Sequence, residues 1–130
     1  MEDLNNKNMI KNKETIYKGI LGKLDEIWQK VKVMGADELS IKLVGLSALL
    51  ANISEEMIEA EQVFVNEQLR IWQVNEKISA KEMEVRAKAS VEYKEYRQWQ
   101  SLEKATVETI RSIKKRLMVL QNEREVSTNL

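Results

Sequence analysis

The chain has no histidine, no cysteine and no proline, and only four glycines in 130 residues. Each absence excludes something. Without histidine, neither a Ser-His-Asp nor a Cys-His nucleophile system can be assembled. Without histidine and cysteine, a zinc site of imidazoles and thiolates cannot form. The Glu-x-x-His pattern of helical di-iron proteins is missing as well. No disulfide framework is possible, which is compatible with a cytosolic compartment, the localisation expected here. There is no glycine-rich phosphate loop. The spacing of Glu55, Glu56 and Glu59 allows an all-carboxylate metal site, but a solvated acidic helix start accounts for the same residues. The expectation is a non-enzymatic protein without metal or cofactor.

Long apolar runs are also lacking. The longest, Ile41 to Ile53, contains Lys42 and is too short to span a bilayer. The opening residues Met1-Glu2-Asp3-Leu4-Asn5-Asn6 are polar and do not read as a signal peptide. No membrane association is expected. Aromatic residues make up 5% of the chain and charged residues 32%, a balance that suits long helices better than a sheet.

The net charge is zero, with 21 basic and 21 acidic residues, so no bulk electrostatic argument favours a polyanion. The charges are unevenly placed. Residues 1–35 carry seven basic and five acidic side chains, residues 36–78 three and eight, and residues 79–130 eleven and eight. An acidic middle flanked by basic ends can attract itself or a neighbouring copy.

The expected fold is all-α: a long antiparallel helical hairpin, coiled-coil-like, preceded by a shorter amphipathic N-terminal helix. Residues 1–11 are expected to be a mobile N-terminus. A first helix is expected over 12–34. Tyr17, Leu24 and Val31 alternate in it with Ile20, Ile27 and Met34, while Leu21 and Trp28 widen the stripe. Gly19 and Gly22 weaken this helix and would let another helix approach closely. Gly35 suits a helix C-cap and Asp37 the following N-cap. The hairpin is expected over 38–125 with its turn near 75–79, leaving 126–130 as a tail. Its first arm has the seam Leu46, Leu50, Ile53, Met57, Ala60, Phe64, Ile71 and Val74, with Glu67 as a polar interruption and a plausible kink near Asn52.

Ser79-Ala80-Lys81-Glu82 forms a capping box. One uninterrupted helix is expected from it to about Glu125. Its seam is Val85, Ala89, Tyr96, Trp99, Ile110, Ile113, Leu117 and Leu120, broken by Glu92, Glu103 and Thr106. Tyr96 and Trp99, on that seam, read as core residues. Arg97, Lys104 and Arg111 recur every seven residues, and Arg111, Lys114, Lys115 and Arg116 sit together with no acid between Glu108 and Glu123.

Taken in order, Arg70 and Trp72, the polar linker, the opening Ser79-Ala80-Lys81-Glu82-Met83-Glu84, the aromatics Tyr93, Tyr96 and Trp99, and the run Ile110-Arg111-Ser112-Ile113-Lys114-Lys115-Arg116-Leu117 resemble small helical-hairpin proteins encoded by bacteriophages. More loosely, residues 46–125 resemble the UvsY type of phage recombination mediator. The resemblance implies a homo-oligomer in the host cytoplasm that binds single-stranded DNA and helps load a RecA-like recombinase in place of a single-strand-binding protein. It implies a DNA contact at Arg70 and Trp72 and an assembly seam at Ile110, Ile113, Leu117 and Leu120. Basic residues are sparse around Arg70, where Lys77 is the nearest other cation, and the N-terminal helix has no counterpart in the family.

Two functions are therefore expected in competition. The first is single-stranded nucleic-acid binding, with Arg97, Lys104, Arg111, Lys114 and Lys115 on phosphates and Trp72 or Tyr93 under bases. The second is a helical protein-interaction module, such as a scaffold, a virion component or an inhibitor of a host factor, with no nucleic-acid contact.

Overall fold

The fold is all-α. A computed structural model describes the backbone of residues 2–75 and 77–129 and the side chains of residues 13–75 and 77–127. Four helices follow in order among the described residues: α1 (Glu2–Lys30), α2 (Ala36–Val74), α3 (Ala80–Lys88) and α4 (Val91–Asn129), with a single 3-10 turn at Val31–Val33. The chain divides into two compact units. One comprises Met1–Leu50 and Lys104–Leu130, the other Ala51–Glu103.

Several boundaries differ from expectation. α1 begins at Glu2 rather than near Asn12. α4 runs to Asn129, since no glycine or proline stops it. Gly35 does not close α1 in a left-handed conformation; no described residue has positive φ. Instead the chain turns extended at Met34 (φ −77°, ψ 142°), and the Gly35 carbonyl accepts the amide of Leu39 at 3.0 Å, so Gly35 opens α2. Asp37 and Glu38 then lie in the first turn of α2.

The single helix expected from Ser79 to Glu125 is two helices. Ser79 caps α3 as the capping box requires, accepting the Glu82 amide at 3.1 Å. α3 then stops at Ala89-Ser90. The Ser90 hydroxyl donates to the Ala87 carbonyl and accepts the amide of Tyr93 at 3.2 Å, making Ser90 the N-cap of α4. The break frees the inner face of α3 from the register of α4. Val85, placed on the seam, is 62% exposed, and Ala89 is exposed too, while Ala87 is fully buried.

In α2 the inward residues obey a strict seven-residue repeat. Leu39, Leu46, Ile53 and Ala60 form one line. Met57, Phe64 and Ile71 form the other, and all but the half-buried Met57 are buried. A repeat of 3.5 residues per turn is the coiled-coil period. Val74, expected to close this seam, is exposed. α2 continues unbroken through Asn52, and the hydroxyl of Ser54 donates to the Glu103 carboxylate at 3.1 Å instead of capping a new start.

The second unit is the turn end of an antiparallel hairpin. Ser54 meets Glu103, Phe64 lies 5.1 Å from Tyr93 and 6.0 Å from Tyr96 between ring centres, and Asn75 meets Arg86. Each step up one arm is thus matched by a step back along the other. Phe64, Ile71 and Ala87 are its buried cluster, with Ile78, Met83, Tyr93 and Tyr96 packed on them. Asn75 ends α2 here. Its side-chain amide donates to the Ile71 carbonyl at 2.9 Å and its side-chain oxygen accepts from Arg86 at 3.2 Å.

The first unit has a mainly aliphatic core: Leu24, Val31, Met34, Leu39, Leu46, Ile110 and Ile113, with Thr106 and Thr109 buried among the polar residues. The Thr109 hydroxyl is satisfied by the Ala105 carbonyl one turn back, at 2.7 Å. Gly19 and Gly22 are not points of close helix approach, because a Cβ at either would meet nothing within 4 Å.

Candidate nucleic-acid interface

The expected contact residues separate into three situations. Arg70 is exposed and paired within its own helix. Its guanidinium grips the carboxylate of Glu67 one turn earlier through two hydrogen bonds, one of 2.9 Å from Nε. That hydrogen bond holds the Glu67 carboxyl below its ordinary pKa and raises that of Arg70. Glu67 stands at the next position of the α2 heptad line after Ala60, so the pair neutralises a polar residue on the inner repeat. Trp72 is half-exposed beside this neutralised pair. The cation of the basic-aromatic contact expected here is engaged in a surface ion pair.

Arg97, in the second unit, is exposed and donates to Gln100 at 3.1 Å. Tyr93 is half-buried, with its ring packed on Phe64. Trp99 is buried and Tyr96 half-buried against Phe64, as expected of core residues.

The first unit presents a different picture. Lys104, Arg111, Lys114 and Lys115 are exposed and make no ion pair among the described residues. Arg116 is half-buried with its Nε out of solvent, so it falls outside this exposed group. Arg111 and Lys115 line an open cleft with Ser112, Glu108 and Trp28 of α1. Trp28 is 54% exposed. It also lines a neighbouring, mainly apolar cleft of about 240 Å³ with Leu21, Leu24, Asp25, Ala105, Glu108 and Thr109. Trp28 was read from sequence as a residue that widens the buried stripe of α1. The structure leaves it largely in solvent beside two unpaired cations.

Helical spacing puts Trp28, four after Leu24 and three before Val31, on the same stripe as those two buried residues. Its exposure is set by the packing, since it stands at the margin where α1 meets the stretch of α4 from Ala105 to Lys115. An indole at such a margin rests one edge on apolar neighbours and keeps a face open to solvent. No signal within α1 alone could have paired it with Arg111 and Lys115, which are more than eighty residues away.

The seam residues divide as well. Ile110 and Ile113 are buried in the first unit of a single chain, and Leu117 and Leu120 are half-buried. Ile110 and Ile113 therefore belong to the chain's own core, and an assembly seam through them would require that core to open. Glu55, Glu56 and Glu59 are exposed, and no group of three carboxylates among the described residues converges on a common point. No helix among the described residues is long and apolar enough to cross a membrane.

Comparisons with protein-family models, with curated proteins and with solved structures find no match for this chain. Functional inference therefore rests on its own residues.

Proposed function

We propose that this protein is a non-enzymatic accessory protein that binds single-stranded nucleic acid through the cleft formed by Trp28, Arg111 and Lys115. The observation that carries the reading is the half-exposed indole of Trp28 beside two exposed, unpaired cations. Binding of an unpaired strand needs this combination: an aromatic face for a base and cations for the adjoining phosphates. Lys114 and Lys104, exposed on the same stretch of α4, extend the cationic surface. Glu108 in the cleft limits its positive potential, and the chain's zero net charge adds no long-range attraction. A single site is therefore weak, and repetition in a homo-oligomer would raise its avidity. Loading of a RecA-like recombinase against a single-strand-binding protein is the role the UvsY-type resemblance adds to this reading.

The test is fluorescence anisotropy of a labelled oligo-dT strand at low and at moderate salt. Binding is expected to weaken with salt, because each neutralised phosphate releases counterions. Arg111→Ala with Lys115→Ala is expected to flatten the logarithmic salt dependence by about 1.4, at roughly 0.7 per phosphate contact. Trp28→Ala is expected to weaken binding about 5- to 150-fold with little change in that slope, corresponding to a base-stacking loss of about 1–3 kcal/mol. All three side chains are exposed, so helicity should be unchanged. Absence of binding at low salt, or binding indifferent to all three substitutions, would overturn the reading.

A second reading, a protein-interaction module, is favoured by one observation: α2 exposes Ile41, Val44, Ile58, Leu69 and Trp72 in the isolated chain. Tight, salt-insensitive capture of one protein partner with no oligonucleotide affinity would select it.

A further inference from the structure

The inner face of α2 is accounted for by its heptad repeat, but α2 carries a second repeat facing solvent. In the first unit Ile41, Val44 and Ala48 follow one another at spacings of three and four, and all are exposed, Ile41 at 71% and Val44 at 72%. The spacing runs on through Ala51, and in the second unit it recurs at Ile58, Val65, Leu69 and Trp72, also exposed. Two apolar repeats on one helix are more than one intramolecular packing uses. Scattered exposed apolar residues are ordinary, but a repeat with the coiled-coil period is not scatter.

The chemistry around Ile41, Val44 and Ala48 narrows what can cover them. Between Glu38 and Glu55 the only charged residue is Lys42, which is half-buried. In a chain that is 32% charged, this is a long neutral stretch. A nucleic acid would find too few cations there for its phosphates. A partner with a charged contact face would have its charges desolvated without counter-charges. An identical stretch brings no charge beyond its own half-buried Lys42.

The flanking residues also fit close helix packing. Ser40, Gly45 and Ser47 are small and exposed, and a Cβ at Gly45 would meet nothing within 4 Å, so the backbone is open to approach. Small flanks let helices pack near the short end of the usual separation of about 8–10 Å. The Ser47 hydroxyl already donates to the Leu43 carbonyl at 2.8 Å, so covering it strands no donor.

We infer that the exposed face of α2 at Ile41, Val44 and Ala48 is a self-association surface, covered by the same face of a second copy of this chain. The assembly surface thus moves from the C-terminal residues Ile110 and Ile113, which the chain buries itself, to α2. The inference is independent of the nucleic-acid reading, because none of these residues lines the Trp28 cleft.

The test is sedimentation velocity of the full chain over a range of micromolar concentrations. The parent protein is expected to form a dimer. Ile41→Glu with Val44→Glu is expected to weaken it about 100-fold or more, because each copy would bring unpaired carboxylates into a desolvated contact. Circular dichroism of the variant should match the parent, since both positions are exposed in the single chain. Val33→Glu, at an apolar residue more exposed still but off this repeat, should leave the dimer intact. A monomeric parent, a dimer that survives the double substitution, or equal disruption by Val33→Glu would each overturn the inference.

Discussion

The two units treat their cations differently. In the second unit three of seven cations are held by acids one turn away: Arg70 by Glu67, Arg86 by Glu82 at 3.0 Å, and Lys88 by Glu84 at 2.8 Å. In the first unit Lys30 is held by Glu26, but Arg111, Lys114 and Lys115 have no such partner among the described residues. Sequence spacing is part of the cause. Glu82 and Glu84 precede Arg86 and Lys88 by four residues in α3, whereas Lys114 and Lys115 have no acid three or four residues to either side; Arg111 has Glu108 at the spacing of Glu67 and Arg70 but does not pair with it. The exposed aromatics differ in their neighbours. The second unit packs Phe64, Tyr93 and Tyr96 together and leaves Trp72 half in solvent near the paired Arg70, while the first leaves Trp28 half in solvent beside Arg111 and Lys115. Helical proteins of this composition have many surface cations and a few aromatics. The informative surface is the one where an unpaired cation and an uncommitted aromatic coincide.

Three substitutions would break or sharpen this contrast. The largest effect is expected at Phe64, on which both tyrosines and the Ile71–Ala87 contact depend. Phe64→Ala should cost about 3–5 kcal/mol, as truncation of a core aromatic does. Amide hydrogen exchange should show the loss of protection concentrated in residues 51–103. Protection lost uniformly along the chain would mean that the two units do not have separate cores in any energetic sense.

The next effect is at Ser90, where α3 gives way to α4. Ser90→Ala should cost about 1 kcal/mol in urea unfolding, the usual loss on removing an N-cap, and Ser90→Asp should restore most of it. If alanine is neutral there, the break is imposed by the burial of Ala87 and not by the cap. The smallest effect, and one of opposite sign, is at Gly22 in the first unit. With open space around the missing Cβ, Gly22→Ala should stabilise by up to about 1 kcal/mol through helix propensity alone. A destabilised variant would show that α1 needs a bare backbone at that turn.

Much of the fold was legible before any coordinates. The absence of proline, the capping box at Ser79 and the three-and-four spacing of apolar residues lead to long helices and a reversal after Val74. Ser90 was the missed signal: a serine three residues before Tyr93 is an N-cap, but it stood inside a helical pattern with no glycine or proline to mark the interruption. The candidate site was half legible. Arg111, Lys114 and Lys115 announced themselves as a cluster, and they remain exposed. Trp72 and Arg70 looked like a contact because they are close in sequence, but sequence proximity does not reveal that Glu67 already holds Arg70.

By itself, the sequence determined the secondary structure and the exclusions. Helical period, caps and missing residue types are local properties, set by backbone sterics and by hydrogen bonds within one or two turns. Tertiary structure decided which of several apolar stripes is inside. α2 carries two repeats with the same period, and only packing against the rest of the chain chooses Leu46 and Ile53 for the core and leaves Ile41 and Val44 in water. It also decided which charges are free and which aromatic they meet, because Trp28 and Arg111 become neighbours only once α1 lies along α4.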